Sequence, residues 1–341
     1  MKVLGKNYDE KTVMKYANTM EGVNSARRIQ LLDGKAKGTE AIEVICSSGL
    51  ELLILIDRGL DIVSARYKGI NIGLMTKNGI TGKTEVNLYE DEFLHYFNGG
   101  LLTTCGLRNA GPNCREESGE YHPLHGRFNT IIAKEISIRW IDKETLEISG
   151  VLCETALFGY QLKLHRTITV YTSESRIYIN DELENESVKE EEIMLLYHFN
   201  FGFPFLQDGC KVVFEEQDKV IPRNPHAQEG VNEHTNITAP VDDFEEQVFF
   251  HIQKGDENGK GHVRVENPSL CLAVEITQSL DTLPVLAQWK SMKSGDYALG
   301  IEPSNNYIMG RVEERKNGTL RTIRPYEKLK FNLELKISEM E

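Results

Sequence analysis

The sequence predicts an all-β protein with two large antiparallel sheets packed face to face and a few peripheral helices. Apolar and polar residues alternate along many short segments, most clearly from Leu329 to Ile337, which is typical of strands with one buried face. Helical signals are few. About a dozen candidate strands exceed what one open sheet usually holds, so a second sheet is expected.

The predicted strands are bounded by turn residues. They are, in chain order, Ala41–Cys46, Glu51–Ile56, Ile131–Trp140, Thr145–Val151, Gln161–Tyr171, Arg176–Leu183, Ile193–Phe201, Lys211–Phe214, His262–Val265, Leu270–Ile276, Tyr297–Glu302 and Leu329–Ile337. Arg166 interrupts the apolar face of its strand. Helix-compatible residues run from Tyr8 to Met20 and from Leu88 to Phe97, and Gly99-Gly100 stops the second run.

The domain organisation is inferred from the absence of linker sequences between these strands. The 341 residues contain no Pro-rich hinge, low-complexity linker or internal repeat. A length prior of about 150 residues per domain suggests two domains, but β-sandwiches often run longer as one unit. We therefore expect a single β-sandwich domain over residues 1–341, with residues 1–35 as a peripheral N-terminal segment.

Composition excludes several classes of function. A net charge of −13 removes the basic footprint of a nucleic-acid binder or of a protein that binds anionic lipid. The longest apolar run, Leu52 to Ile56, is too short to span a bilayer, and the first residues do not resemble a secretory signal. Six scattered cysteines form no C-x-x-C pair. We expect a cytoplasmic protein that contacts neither nucleic acid nor membrane.

Three segments concentrate polar residues beside glycines. The first runs from Gly99 to Asn113 and contains Arg108 and Asn109, without a G-x-G-x-x-G or Walker lysine pattern. The second, from Tyr121 to Asn129, carries two histidines around Pro123. The third is the strand from Leu195 to Pro204. The two histidines of the second segment are His122 and His125, and the third segment carries His198 and Asn200.

The third segment also predicts which side chains share a face. Alternation puts Tyr197, Phe199 and Phe201 on one side of the strand and His198 and Asn200 on the other. A polar pair on a concave sheet face suits a sugar site. Glu302 ends an apolar strand and is followed by proline, and Gln288-Trp289 shortly before it offers an aromatic platform for a pyranose ring.

Taken in order, these segments resemble the aldose 1-epimerase (galactose mutarotase) family, in particular its poorly characterised bacterial branch, from Asp57 to Glu302. Leu124-His125-Gly126 is similar to the family's Leu-His-Gly element, and Ile301-Glu302-Pro303 to its Val-Glu-Pro element. His198-Phe199-Asn200-Phe201 resembles the His-x-Tyr-Phe-Asn-Leu element, with two fewer residues between histidine and asparagine. Arg108-Asn109 resembles the family's Asn-Arg pair in reverse order.

The resemblance implies a galactose mutarotase-like β-supersandwich and an isomerase that interconverts the anomers of a sugar or sugar derivative, without cofactor or metal. It implies Glu302 as general base, His198 as general acid and His125 as a third catalytic residue. The residues expected to bind substrate are Arg108, Asn109, His122, Asn200, Gln288 and Trp289. The family's sugar-binding aspartate is not located, and Asp242 and Asp243 both stay open.

Two other functions stay open as well. One is a non-catalytic carbohydrate-binding or sensor protein that uses the same pocket. The other is a sugar isomerase or epimerase that acts at carbon, with a divalent ion held by His122, His125, His198 and Glu302. In each case the expected partner is a small-molecule carbohydrate, and a homodimer is left open.

Overall fold

The computed structural model describes residues 1–215 and 217–340. In chain order the strands are β1 (Lys2–Val3), β2 (Lys6–Asn7), β3 (Ser25–Gln30), β4 (Glu40–Ile45), β5 (Leu50–Leu55), β6 (Asp61–Tyr67), β7 (Ile70–Asn71), β8 (Leu74–Met75), β9 (Gly99–Gly100), β10 (Leu102–Leu107), β11 (Cys114–Arg115), β12 (Tyr121–His122), β13 (Lys134–Trp140), β14 (Thr145–Thr155), β15 (Gln161–Tyr171), β16 (Arg176–Asn185), β17 (Glu191–Phe201), β18 (Lys211–Phe214), β19 (Gln217–Pro222), β20 (Gln247–Gln253), β21 (Lys260–Asn267), β22 (Leu272–Ser279), β23 (Val285–Lys293), β24 (Asp296–Ser304), β25 (Arg321–Ile323) and β26 (Lys328–Glu339).

The helices are short and lie between strands. The α-helices are α1 (Glu10–Tyr16), α2 (Phe93–Tyr96), α3 (Pro225–Glu229) and α4 (Arg311–Asn317). Single 3₁₀ turns cover Met20–Gly22, Gly34–Ala36, Lys83–Glu85, Phe128–Thr130 and Val231–Glu233. Within the described ranges no helix has the length and hydropathy needed to cross a bilayer.

Three antiparallel sheets form the body of the fold. Sheet I has the order β10-β17-β24-β23-β20-β19, with β25 also paired to β17. Sheet II has the order β13-β14-β15-β16-β26-β22-β21-β18, and sheet III is the meander β3-β4-β5-β6-β7. This architecture confirms the predicted all-β class with large antiparallel sheets and few helices. Strand β3 belongs to the N-terminal segment that was expected to be peripheral, and it is an edge strand of sheet III.

One continuous core lies between the sheets. Alternate residues of sheet II, such as Ile168 and Leu333, pack with Tyr197 and Phe199 of sheet I and with Ile54 of sheet III. The opposite face of sheet I is also largely buried, because a second apolar cluster covers part of it. That cluster is formed by Cys105, Ala110, Met194, Leu196, Val248, Phe250, Val285, Ala287 and Ile308.

Burial on both faces explains three of the strands that the sequence pattern did not predict. Strands β10, β20 and β23 are almost continuously buried, so apolar residues occupy both faces and the period of two disappears. The sequence pattern also failed to predict β3 and β6. The helix expected from Tyr8 to Met20 is shorter than expected, beginning after the Asp9 cap and ending at Tyr16.

A buried charge network joins all three sheets. Arg166, which interrupts the apolar pattern of β15, is fully buried and forms 2.7 Å ion pairs with Asp61 of β6 and Asp181 of β16. Its Nη2 also donates to Thr104 of β10, while the Tyr197 hydroxyl of β17 donates to Asp181 at 2.7 Å. The guanidinium therefore joins a carboxylate of sheet II to one of sheet III. It reaches sheet I directly through Thr104, and through Asp181 it is also linked to Tyr197.

Replacing Arg166 by methionine is expected to lower the free energy of unfolding by about 3–5 kcal/mol, because two carboxylates would stay buried without their cation. The control is Arg139→Met, since Arg139 is an exposed residue of sheet II paired only with Glu147, and should cost under about 1 kcal/mol. Urea unfolding of the three proteins measures both. Similar losses in the two variants would contradict a central role for the network.

Candidate active site

Strand register brings His198 and Glu302 together. On β17, alternation sends Tyr197 and Phe199 into the core and His198 to the other face of sheet I, as predicted. Because Phe199 pairs with Ile301 and Leu196 with Ser304, the antiparallel register sets His198 opposite Glu302 of β24. Side chains directly opposite in an antiparallel pair point to the same face, so the two groups meet.

The pair is buried and poorly satisfied. His198 Nε2 lies 3.2 Å from Glu302 Oε1, and the two residues are 6% and 1% exposed. Among the described residues, neither carboxylate oxygen nor His198 Nδ1 has a hydrogen-bond partner. Buried polar atoms without partners are rare in folded proteins and mark sites where a ligand or water completes the set.

Burial shifts both pKa values so that the pair keeps one proton at neutral pH. Burial raises the pKa of Glu302 to about 8, with Arg223 opposing the shift. Burial lowers the pKa of His198 well below its usual range, and the neighbouring His125 lowers it further. A neutral imidazole beside a protonated carboxyl is the uncharged form of the pair. The pair therefore offers one proton donor and one proton acceptor at the same place.

His125 completes a group of three titratable side chains. Its ring centroid lies 5.9 Å from that of His198, and burial lowers its pKa to about 4. The loop holds this residue at a φ of +58°, a strained conformation for a non-glycine. The Gly111 amide donates to His125 Nδ1 at 3.4 Å. In the neutral ring the hydrogen therefore sits on Nε2.

Aromatic side chains surround the three groups. The Phe93 ring lies 5.0 Å from the His125 ring, and the rings of Phe97 and Trp289 each lie 5.7 Å from that of His198. Phe93 and Phe97 were not singled out from the sequence, although their spacing of four residues in an acidic-aromatic stretch was a signal for one helical face. Trp289 lies beside the candidate site.

Gly300 is a second feature that the sequence analysis missed. It lies two residues before Glu302 on the same strand face and opposite Trp289. A Cβ atom at Gly300 would come within 2.3 Å of Glu302 Oε1 and 3.0 Å of His198 Cε1. The carboxylate therefore occupies the space that the absent side chain leaves free.

Arg108 and Asn109 lie in a different cluster. The Arg108 guanidinium pairs with Glu120 and Glu191 and lies 3.8 Å from the centroid of the Tyr160 ring. The Asn109 amide donates to the carbonyls of two prolines in the surrounding loops. Both side chains are thus bonded to groups outside the His198–Glu302 pair, and the structure does not bring their polar groups to it.

His122 and Gln288 are also placed elsewhere. His122 is fully buried, with Nε2 3.0 Å from Glu116, beside the Arg108 cluster. Gln288 pairs with Ile301, so it points to the core face of β23 and contacts His251 instead. Both placements have a geometric reason: Pro123 separates the two loop histidines, and neighbouring residues of a strand face opposite ways.

Asn200 lies on the same strand face as His198 and is fully buried. Its Nδ2 donates to the His198 carbonyl at 2.8 Å, and among the described residues its Oδ1 has no partner. Asn200 pairs with Gly300 across the strands, one row away from the catalytic candidates.

The predicted four-residue set for a divalent ion is not assembled, because His122 belongs to the separate cluster. There His122, Glu116 and Glu120 lie with their ligand atoms within 4.8 Å of one another. Guanidinium groups already bind these carboxylates: Arg108 binds Glu120, and Arg311 binds Glu116. The positive charge that a cation would supply is thus present in the side chains.

Comparisons with known proteins agree with the architecture. A family model described as "Domain of unknown function (DUF4432)" matches residues 36–337. A candidate aldose 1-epimerase of Klebsiella pneumoniae is similar in structure, with a TM-score of 0.87, 21% identity, and coverage of 94% of this chain and 88% of its own. The expected galactose mutarotase-like fold is thereby confirmed.

Two further solved structures are similar. A galactose mutarotase-like protein of Clostridium acetobutylicum has a TM-score of 0.66 and 17% identity, with 94% and 100% of the two chains covered. A galactose 1-epimerase of Lactobacillus acidophilus has a TM-score of 0.61 and 14% identity, with 93% and 100% covered. A search of curated proteins finds no significant match.

The variant Gly300→Ala is expected to keep the fold, to lose about 1–3 kcal/mol of stability and to push the Glu302 carboxylate away from His198, since its Cβ needs that space. A crystal structure and a urea titration measure the two effects. Gly22→Ala is the control, because no atom lies within 4 Å of the position of its Cβ. An unmoved carboxylate in Gly300→Ala would contradict the packing argument.

Glu302→Gln is expected to be more stable than the wild type at pH 8, by up to about 5 kcal/mol, because each unit of pKa shift is worth about 1.4 kcal/mol. An unfolded glutamate has a pKa of about 4.3, whereas burial raises the pKa of Glu302 to about 8. Between these values the folded state must retain a proton that the unfolded state releases, so wild-type stability falls as pH rises.

The gain should therefore be small near pH 4.5, grow up to pH 8 and then level off. Urea unfolding at pH 5, 6.5 and 8 tests this, with Glu21→Gln as an exposed control that should show no such trend. A gain that is independent of pH would mean that the carboxyl is not held protonated by burial.

Proposed function

The chain belongs to the DUF4432 family, and we propose that it is an aldose 1-epimerase-like isomerase that interconverts the anomers of a sugar or sugar derivative. The observation that carries this proposal is the buried His198–Glu302 pair, in which a carboxyl and an imidazole lie 3.2 Å apart on one face of sheet I. A sugar ring opens when a base removes the O1 proton while an acid protonates the ring oxygen. The pair supplies both groups.

The family resemblance makes Glu302 the base and His198 the acid, so the resting proton must first move from Glu302 to His198. Transfer of the Glu302 proton across the 3.2 Å contact gives an imidazolium and a carboxylate. Glu302 then removes the O1 proton, His198 protonates the ring oxygen and the C1–O5 bond breaks. Rotation about C1–C2 and attack of O5 on either face of the aldehyde, with the proton transfers reversed, give both anomers.

His125 and Trp289 have supporting roles in the proposed reaction. His125, with its hydrogen on Nε2, donates to a sugar oxygen and stabilises the charge that develops there. Trp289 offers its indole face to the apolar side of a pyranose ring. The substrate is a small carbohydrate of cytoplasmic carbohydrate metabolism, and the six free cysteines agree with a reducing compartment.

Glu302→Gln and His198→Asn are each expected to lower kcat for anomer exchange by about 100-fold or more, because each keeps hydrogen-bonding capacity but removes proton transfer. Trp289→Ala should instead weaken binding. Saturation-transfer NMR of the two anomeric protons measures exchange in a panel of sugars, and thermal melts confirm folding. The control is Glu314→Gln, a second buried carboxyl, which is hydrogen-bonded to Thr319.

A folded Glu302→Gln protein with wild-type exchange rates would refute Glu302 as the base. A wild type that binds sugars but never accelerates exchange would show that the protein is a carbohydrate-binding or sensor protein instead.

A further inference from the structure

We propose that Arg223 binds an anionic substituent of the sugar, a carboxylate or a phosphate, and thereby selects acidic sugars over neutral ones. This inference rests on the proposed function, because it assigns the substrate class of the same site. Arg223 lies at the far edge of the candidate active-site face, and two nitrogens of its guanidinium have no hydrogen-bond partner among the described residues.

Two cross-strand rows define this face of sheet I. In the first row, His198 lies opposite Glu302, which pairs with Ala287, and Ala287 pairs with Phe250. In the second row the residues, in strand order, are Asn200, Gly300, Trp289, Val248 and Arg223. The pairs that establish the second row are Asn200 with Gly300, Gly300 with Trp289, and Trp289 with Val248.

Arg223 continues that second row. It follows β19 directly, Pro222 pairs with Phe249, and the Arg223 amide donates to the Val248 carbonyl at 2.9 Å. Opposite residues share a face, so Arg223 belongs to the same face as Val248 and Trp289. Three strand spacings, about 14 Å, separate the backbone of β19 from that of β24. An arginine side chain and a substituted sugar together span such a distance.

Four side chains lie in the two rows between the catalytic pair and Arg223. They are Ala287 and Phe250 in the first row and Trp289 and Val248 in the second. The Trp289 ring contacts the His198 ring at one end, and its indole N–H donates to Glu246, the partner of Arg223. A sugar that stacks on the Trp289 ring would therefore direct its anomeric carbon and its charged substituent toward different ends of that ring.

The Arg223 guanidinium has free donors. Its Nη2 pairs with Glu246 Oε1 at 2.9 Å, and the other Glu246 oxygen accepts from Trp289 Nε1 at 2.8 Å. Within residues 1–215 and 217–340, Arg223 Nε and Nη1 have no protein partner. The open Nε and Nη1 groups can each donate a charge-assisted hydrogen bond to a carboxylate or phosphate oxygen, which is stronger than one to a neutral hydroxyl.

Charge in the site favours an anion as well. The Glu246 side chain is 52% exposed and that of Arg223 22%, so water screens the carboxylate more than the guanidinium. Arg223 lowers the pKa of both Glu302 and His125, whereas Glu246 raises only that of Glu302, and by less. Arg223 therefore lies close enough to act on both Glu302 and His125, and an anionic substituent bound to its guanidinium would belong to the same site.

The experiment compares matched sugars. Anomer exchange is measured by NMR for galactose, galacturonate and galactose 6-phosphate, and for the three glucose counterparts, with uncatalysed rates subtracted. We expect at least one acidic form to exceed its neutral parent by about 10-fold or more in kcat/KM. The carboxylate and phosphate arms show which anion fits.

Arg223→Gln should remove this preference, mainly through KM, and Arg223→Lys should retain part of it because the charge remains. Arg264→Gln is the control, since Arg264 is a half-exposed residue of sheet II paired with Glu266, and it should keep the preference. The proposal is overturned if the wild type prefers the neutral parents, or if folded Arg223→Gln retains the preference.

A binding measurement separates this inference from the proposed function. In a Trp140→Phe background Trp289 is the remaining tryptophan, so its fluorescence reports sugar binding. Tighter binding of acidic sugars without exchange would support Arg223 and refute the isomerase. Exchange that favours neutral sugars would support the isomerase and refute the role of Arg223.

Discussion

The structure depends on the buried cation of Arg166. It joins Asp181 of sheet II and Asp61 of sheet III, while Thr104 and Tyr197 tie two strands of sheet I to the same charges. Such a network is stable only when every member is satisfied, because an unpaired buried charge costs several kcal/mol. It therefore resists a shift of β10 or β17 along its axis, and Tyr197 is the residue next to His198.

The candidate site depends on the register between β17 and β24. A slip of β17 by one residue would send His198 into the core and separate it from Glu302. The candidate site has a second requirement, which is burial. Burial raises the pKa of Glu302 and lowers that of His198, and without it neither pKa would be shifted in this way. The buried carboxyl and imidazole without hydrogen-bond partners reduce stability, and the fold offsets this cost with the packed core on the other face of sheet I.

The ion-pair cluster at the other end of β17 has a structural role. Arg311, at the start of α4, is buried and binds Glu116 and Glu191, and its backbone amide donates to the Asn109 side chain. Asn109 in turn holds the Pro123 carbonyl two residues before His125. Polar residues that resembled a sugar-binding pair from sequence thus support the loop that carries His125.

Alternation along the chain was enough to predict the all-β class and the core face of β17, whereas the resemblance of short motifs singled out His125, His198 and Glu302 as candidates. It could not predict β10, β20 or β23, because strands buried on both faces lose their period. The local pattern also did not separate His122 from His125 or Gln288 from Trp289, since neighbouring residues point into different surroundings. Only the tertiary structure decided which of these side chains belong to the site, because cross-strand register and burial bring together residues that are far apart in the chain. In the same way it placed Gly300 beside the Glu302 carboxylate and Arg223 in the row of Trp289.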